Sequence, residues 1–197
     1  ETRLKIYGDT FYCLLINRKV VSTHTGADRK EENGNWYYTL QVDDLSSMEQ
    51  QLIKVSYIPV EFPDSVINKQ ILLTSTMSED VRQNRIDSHE KNRQALVEAG
   101  YYPPLRKIVT DRTFIFAFSF LHDPNKGYLA DVIDSESGKV LSKVYFPTLP
   151  QIIKNGYAYR TILPLLSGGG GNTITNRNPR EYPFIKKYRI DPAVYGN

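Results

Sequence analysis

The sequence predicts a mainly β fold: a partial β-propeller of three to four blade-like, four-stranded antiparallel units, with one surface helix inserted around residues 79–99. Three observations carry this expectation. Four stretches, Ile6 to Leu14, Val66 to Leu73, Ile108 to Phe116 and Ile152 to Tyr159, each combine an apolar residue, a turn built on Asp or Asn, and a β-prone run. Their turn residues Asp9, Asn68, Asp111 and Asn155 lie 59, 43 and 44 positions apart, and propeller blades repeat about every 40 to 50 residues. The aromatic content leans toward Tyr, with 14 Tyr against 8 Phe and one Trp, and Tyr, Phe, Val and Ile at alternating positions suit half-buried strands.

The elements follow in order. Leu4 to Ile16, Lys19 to Thr23, Trp36 to Val42 and Leu52 to Phe62 read as one four-stranded unit, with a polar connection from Thr25 to Asn35 that holds Gly26 and Gly34. Residues 66–75 read as a further strand. The period then changes. Ser78 is suited to cap a helix, Glu79 and Asp80 favour its positive end, and Gly100 is placed to stop it. Between them only Val81, Ile86, Leu96, Val97 and two Ala residues are apolar, so the helix buries a thin stripe and belongs on the surface. Lys107 to Phe120, Tyr128 to Asp134 and Lys139 to Phe146 give three more strands, the last two joined at Asp134 to Gly138. A final unit starts at Gln151, includes Tyr157 to Ile162 and returns at Phe184 to Ile190, while Leu166 to Tyr182, with its run of four glycines, reads as disordered. An internal echo joins Leu52 to Pro59 with Leu141 to Pro147, whose leading Leu residues stand 89 positions apart.

Charge is unevenly distributed. Residues 1–100 carry 12 basic and 15 acidic side chains, a net of −3, and residues 101–197 carry 13 and 7, a net of +6. The basic excess does not read as a nucleic-acid surface, because adjacent Lys186 and Lys187 in a strand point to opposite faces. The single cysteine, Cys13, allows no internal disulfide or cysteine metal cluster and reads as a small buried hydrophobe. No apolar run approaches the roughly 18 residues of a transmembrane helix. The first residue is Glu1 rather than Met, which suits a processed or trimmed product.

From Ser78 onward the order of parts resembles the C-terminal part of bacterial six-bladed β-propeller proteins related to NHL repeats. The matching positions are Asp131, Val132, Ile133, Asp134, Gly138, Leu141, Val144 and Pro147, then Gly156 and Tyr159, then Tyr188, Arg189 and Ile190. The resemblance covers roughly residues 78–191 well and 1–77 loosely. It implies an exported protein, periplasmic or surface-anchored. A six-bladed ring needs about 250 residues or more, so residues 1–197 are expected to be one propeller-like domain that belongs to a longer polypeptide or is completed by another chain.

Candidate chemistry is sparse. Asp9, Asp111 and Asn155 occupy corresponding places in the repeat, and oxygen ligands of this kind near the mouth of a propeller hold calcium in hydrolases. The same residues serve turns by satisfying backbone groups locally. Trp36, Tyr38 and Tyr102 lie in aromatic pairs whose members face opposite ways, so one of each pair is available for binding. His24, His89 and His122 share no metal-ligand spacing. The glycine run lacks the Lys-Ser/Thr and helix of a phosphate loop, and Ser119 and Ser167 lack a nucleophile elbow. The function expected is that of a ligand- or protein-binding scaffold with a protein partner or companion chain and no catalytic constellation. The alternatives are a calcium-dependent propeller hydrolase or lactonase and a structural subunit of a larger extracytoplasmic assembly.

Overall fold

The computed structural model describes residues 10–24, 29–162 and 183–196. Within them the chain is mainly β, arranged as three consecutive antiparallel sheets. Sheet 1 contains β1 (Thr10–Leu14), β2 (Lys19–His24), β3 (Arg29–Glu32), β4 (Asn35–Asp44) and β5 (Gln50–Tyr57). Two helices follow, α1 (Asp64–Ile67) and α2 (Glu79–Ala99). Sheet 2 is a meander of β6 (Leu105–Asp111), β7 (Phe114–Asp123), β8 (Gly127–Asp134) and β9 (Lys139–Phe146). Sheet 3 contains β10 (Ile152–Lys154), β11 (Tyr157–Ile162) and β12 (Phe184–Arg189), followed by a 3-10 turn at Pro192–Tyr195.

Sheet 1 departs from four equal strands because β4 is long. Its C-terminal half pairs with β2 through Gln41–Asp44 and its N-terminal half with β3 through Asn35–Tyr38, while β5 lines its other edge. β3 falls inside the expected polar connection. Its hairpin to β4 turns at Asn33 and Gly34, both at positive φ, the geometry that closes a tight hairpin with the strand twist.

Two further expectations are corrected, and two others fall on residues outside the described ones. Residues 66–75 form no strand; α1 ends at Ile67 and irregular chain follows. The stretch from Lys107 to Phe120 is two strands, split by Arg112 and Thr113, with Arg112 at φ 58°. The first strand begins at Thr10 among the described residues, and the run of four glycines lies outside them. The long helix spans Glu79–Ala99 and buries none of its residues, as the thin apolar stripe requires. At its end Gly100 takes φ 67° and donates its N–H to the carbonyl of Leu96.

The sheets pack face to face, and sheet 2 is the middle layer. Strand alternation divides β7 between two cores. Ile115 and Ala117 join Ile108 and Ile133 against Leu40, Val42, Ile53 and Val55 of sheet 1. Phe116 and Phe118 join Ala130, Val132 and Phe146 against Ile153, Ala158 and Ile190 of sheet 3. A strand covered on both faces reads as a continuous apolar run, which is the pattern of Phe114-Ile-Phe-Ala-Phe118. The first strands of the sheets lie side by side, β6 between β1 and β10. β8 and β9 approach closely where Gly127 sits at φ 96°: a side chain there would meet the carbonyl oxygen of Phe146 at 2.1 Å, so glycine is required.

Candidate functional site

The two ends of the sheet stack are built differently. One rim carries only short turns, at residues 15–18, 45–49, 112–113, 135–138 and 155–156. The opposite rim carries residues 58–104, which hold both helices, and the connections 124–126 and 147–151. Long connections on a rigid scaffold are where binding residues concentrate.

Two of the expected metal residues, Asp111 and Asn155, lie at the tight-turn rim. Asp111 is the last residue of β6, whereas Asn155 is the first turn residue after β10, at φ 53°. The two are therefore offset by one: Lys154 corresponds to Asp111, and Asn155 to Arg112. Asp111 and Asn155 nonetheless meet, because the buried Asp111 carboxylate accepts the backbone N–H groups of Asn155 and Gly156, each at 2.8 Å, and the Tyr195 hydroxyl at 2.8 Å. Burial, with the Asp111 carboxylate next in weight, pushes the Tyr195 hydroxyl well above its ordinary range, so Tyr195 stays a donor. Asp111 is thus the strut that ties the turn of sheet 3 to sheet 2. Asp9, the third expected ligand, lies outside the described residues. The described turn after β1 is made instead by Asn17 and Arg18, both at positive φ, and Ile16 N–H reaches the carbonyl of Arg112 at 3.4 Å. Among the described residues no three His, Cys, Asp or Glu side chains gather as a ligand set. The same rim has an open recess of about 510 Å³ between Lys19, Asp44, Glu49, Gln50, Gln51 and Glu136, in which the Lys19 ammonium pairs with Glu136 at 2.8 Å.

Two of the expected binding aromatics, Trp36 and Tyr102, lie at the loop-bearing rim. The connection from β5 returns to its start there: Glu61 bridges Tyr101, and Tyr102 N–H donates to Val60. This brings Tyr101 to Trp36 at 5.6 Å between ring centroids, and Trp36 packs edge-on to Tyr57 at 6.3 Å. Tyr102 stacks on Phe120 at 4.5 Å and 11°, and Phe62 lies tilted against it at 4.3 Å. The ladder continues through Arg106, whose guanidinium carbon lies 5.5 Å from the Phe120 ring and 5.3 Å from Tyr128, and ends with His122 against Tyr128 at 4.6 Å. Neither Arg106 nor His122 stands out in the sequence, since nothing in their spacing announces that a β-hairpin end and a distant connection converge.

Tyr38 does not belong to this surface. It faces the core of β4 and is fully buried, which corrects its expected binding role. Its hydroxyl donates to Asp131 Oδ2 at 2.9 Å. Asp131, buried on β8, has its other oxygen 3.3 Å from the Lys143 ammonium, which reaches in from its cross-strand position on β9. Burial raises the Asp131 carboxyl above its ordinary value, against the opposing pull of Lys143 and of the Tyr38 hydroxyl. The Tyr38 hydroxyl is itself pushed well up, first by burial and then by the carboxylate.

A raised carboxyl pKa stabilises the fold at pH below the unfolded value and loses that contribution as pH rises through the folded value. Replacing Asp131 by Asn removes this dependence. The stability of the parent relative to Asp131→Asn is therefore expected to improve steadily as pH falls from neutrality toward 3.8, measured by urea unfolding at several pH values. Parallel curves for the two proteins would exclude a perturbed Asp131.

No helix among the described residues is long and apolar enough to cross a membrane. Comparison with known proteins finds no matching family, no similar curated protein and no similar solved structure.

Proposed function

We propose that this chain is a binding or scaffold module, part of a β-propeller in which the three sheets are consecutive blades, and that its loop-bearing rim takes a protein or a small ligand. The contrast between the rims carries this reading. Every turn between strands at one rim has five residues or fewer, whereas the opposite rim spends a long helical connection on placing Tyr101 against Trp36 and, next along the chain, Tyr102 against Phe120, with Arg106 near both Phe120 and Tyr128. These groups offer flat apolar area with polar tips and a planar cation, the residue types enriched where partners are gripped. Side-by-side first strands and twice-repeated sheet packing support the blade reading. The sequence resemblance alone supports an extracytoplasmic setting and a companion chain.

Affinity capture from the source cells, followed by calorimetry on the recovered partner, tests the proposal. Arg106→Glu is expected to weaken binding by about tenfold or more, in line with loss of one central anchor, while Lys139→Glu at the tight-turn rim leaves it unchanged. Equal loss from both variants would remove the rim from consideration. Calcium-dependent turnover of lactones or esters by the isolated protein would favour the hydrolase reading instead.

A further inference from the structure

The chain repeats one packing relation twice, and its two end faces are the free halves of that relation. Sheet 1 uses one face against sheet 2, and sheet 2 uses the corresponding face against sheet 3. The faces left over are the outward face of sheet 1 and the outward face of sheet 3. Cross-strand register defines the first: Leu14 pairs with Val20, Val20 with Asp43, and Tyr12 with Ser22, Gln41 and Leu52 in succession. Tyr12, Leu14 and Leu52 are 70%, 74% and 64% exposed, far more than strand residues on a covered face. On the second face Tyr157 pairs with Arg189, Tyr159 with Lys187 and Thr161 with Ile185, and Ile152 and Ile185 are 57% and 69% exposed.

The charges on the two faces correspond in position. Counted across each sheet from its first strand, β4 and β12 stand third, and Asp43 and Arg189 lie at the tight-turn ends of those strands. The Asp43 carboxylate accepts only the neutral amides of Gln41 and Gln50, and no ion pair joins it to a cation among the described residues. Lys187 lies 3.8 Å over the Tyr157 ring, and Lys154 and Arg189 flank Tyr157 in the last row of that face at the tight-turn end. Where sheet 2 buries Phe116 opposite Val132, sheet 3 has Tyr159 opposite Lys187 at the matching register. That face suits an acidic counterpart better than a purely apolar one.

We propose that the occupant of each end face is a second copy of this chain, sheet 3 of one copy packing on sheet 1 of the other with Arg189 opposite Asp43. Two copies then close on each other through two identical contacts and make a ring of six sheets, which also covers the unpaired apolar faces. The inference rests on the sheet packing and not on the ligand reading of the rim.

Sedimentation equilibrium over a range of concentrations tests it. The expected result is a reversible association from 22.6 kDa to twice that mass, weakened by added salt as surface ion pairs are screened. Arg189→Asp and Asp43→Arg are each expected to raise the dissociation constant about tenfold or more, since like charges then face each other at both contacts. An equimolar mixture of the two variants restores association, because each contact in the mixed pair again joins opposite charges. Leu14→Ser weakens association without any change of charge, and far-ultraviolet circular dichroism checks that each variant remains folded. A protein that stays at 22.6 kDa at the highest concentration reached, variants that associate as the parent does, a mixture that fails to recover, or an open series of larger species would each overturn the proposal.

Discussion

Replacing Phe116 by Ala is expected to cost about 4 kcal/mol of stability, the usual range for emptying a fully buried phenylalanine site. For a chain of this size the loss lowers the melting temperature by about 8 to 16 °C. Phe116 has no exposed surface and sits in β7 on the face toward sheet 3, edge-on to Phe146 at 6.0 Å and to Tyr195 at 5.8 Å. Its neighbours are held by two sheets and a terminal turn, so they have little freedom to collapse into the void. Tyr145→Ala on the exposed side of β9 serves as the control, with a change expected within about 1 kcal/mol. Chemical unfolding of the two variants decides the matter: a small loss at Phe116 would mean that sheets 2 and 3 are not packed through this ring.

Asp111→Ala is expected to cost about 3 kcal/mol, because it strands three donors at once. The carboxylate receives Asn155 N–H, Gly156 N–H and the Tyr195 hydroxyl, and hydrogen bonds to a charged group contribute about 1.5 to 3 kcal/mol each before non-additivity and water access are discounted. Tyr195→Phe removes one of the three, for a loss of about 1 kcal/mol. Combining the two substitutions is expected to cost less than the sum, since they share a partner. The same proteins separate the strut from a metal ligand. If Asp111 is a strut, calcium leaves the melting temperature of the parent unchanged. A calcium-dependent rise that Asp111→Ala abolishes would identify it as a ligand.

How much of this was legible in the sequence depends on whether the signal was local. Helix α2 was readable from Ser78 to Gly100 because caps and composition act within one turn. Strands β8 and β9 were readable because Asp134 to Gly138 is a turn in its own right. Between β6 and β7 the turn was read at Asp111, one residue early, and the strand carried through it, because Arg112 and Thr113 carry no turn chemistry of their own; Arg112 is held at positive φ by the pairing on either side. β3 was hidden because Arg29–Glu32 is fully charged and polar, and only its pairing with the N-terminal half of β4 makes it a strand. The echo between Leu52 and Leu141 has a structural counterpart, as both lie in the last strand of their sheets. At the candidate sites, Trp36 and Tyr102 lie partly exposed at the loop-bearing rim, each in its own aromatic cluster, whereas Tyr38 is buried. Facing direction follows from strand parity, whereas the covered face follows from which sheet comes next, and that is a long-range fact.

The double coverage of sheet 2 has a consequence for the order in which the molecule is assembled. Each sheet is complete within one continuous stretch, residues 10–57, 105–146 and 152–189, so strand pairing requires mainly short loops to close and proceeds as the chain is made. The packed layers form later, and neither outer sheet has any inner partner except sheet 2. Sheet 2 is therefore the layer on which both outer sheets of one chain dock. A polypeptide built this way lengthens by adding a layer at either end without disturbing the ones already formed.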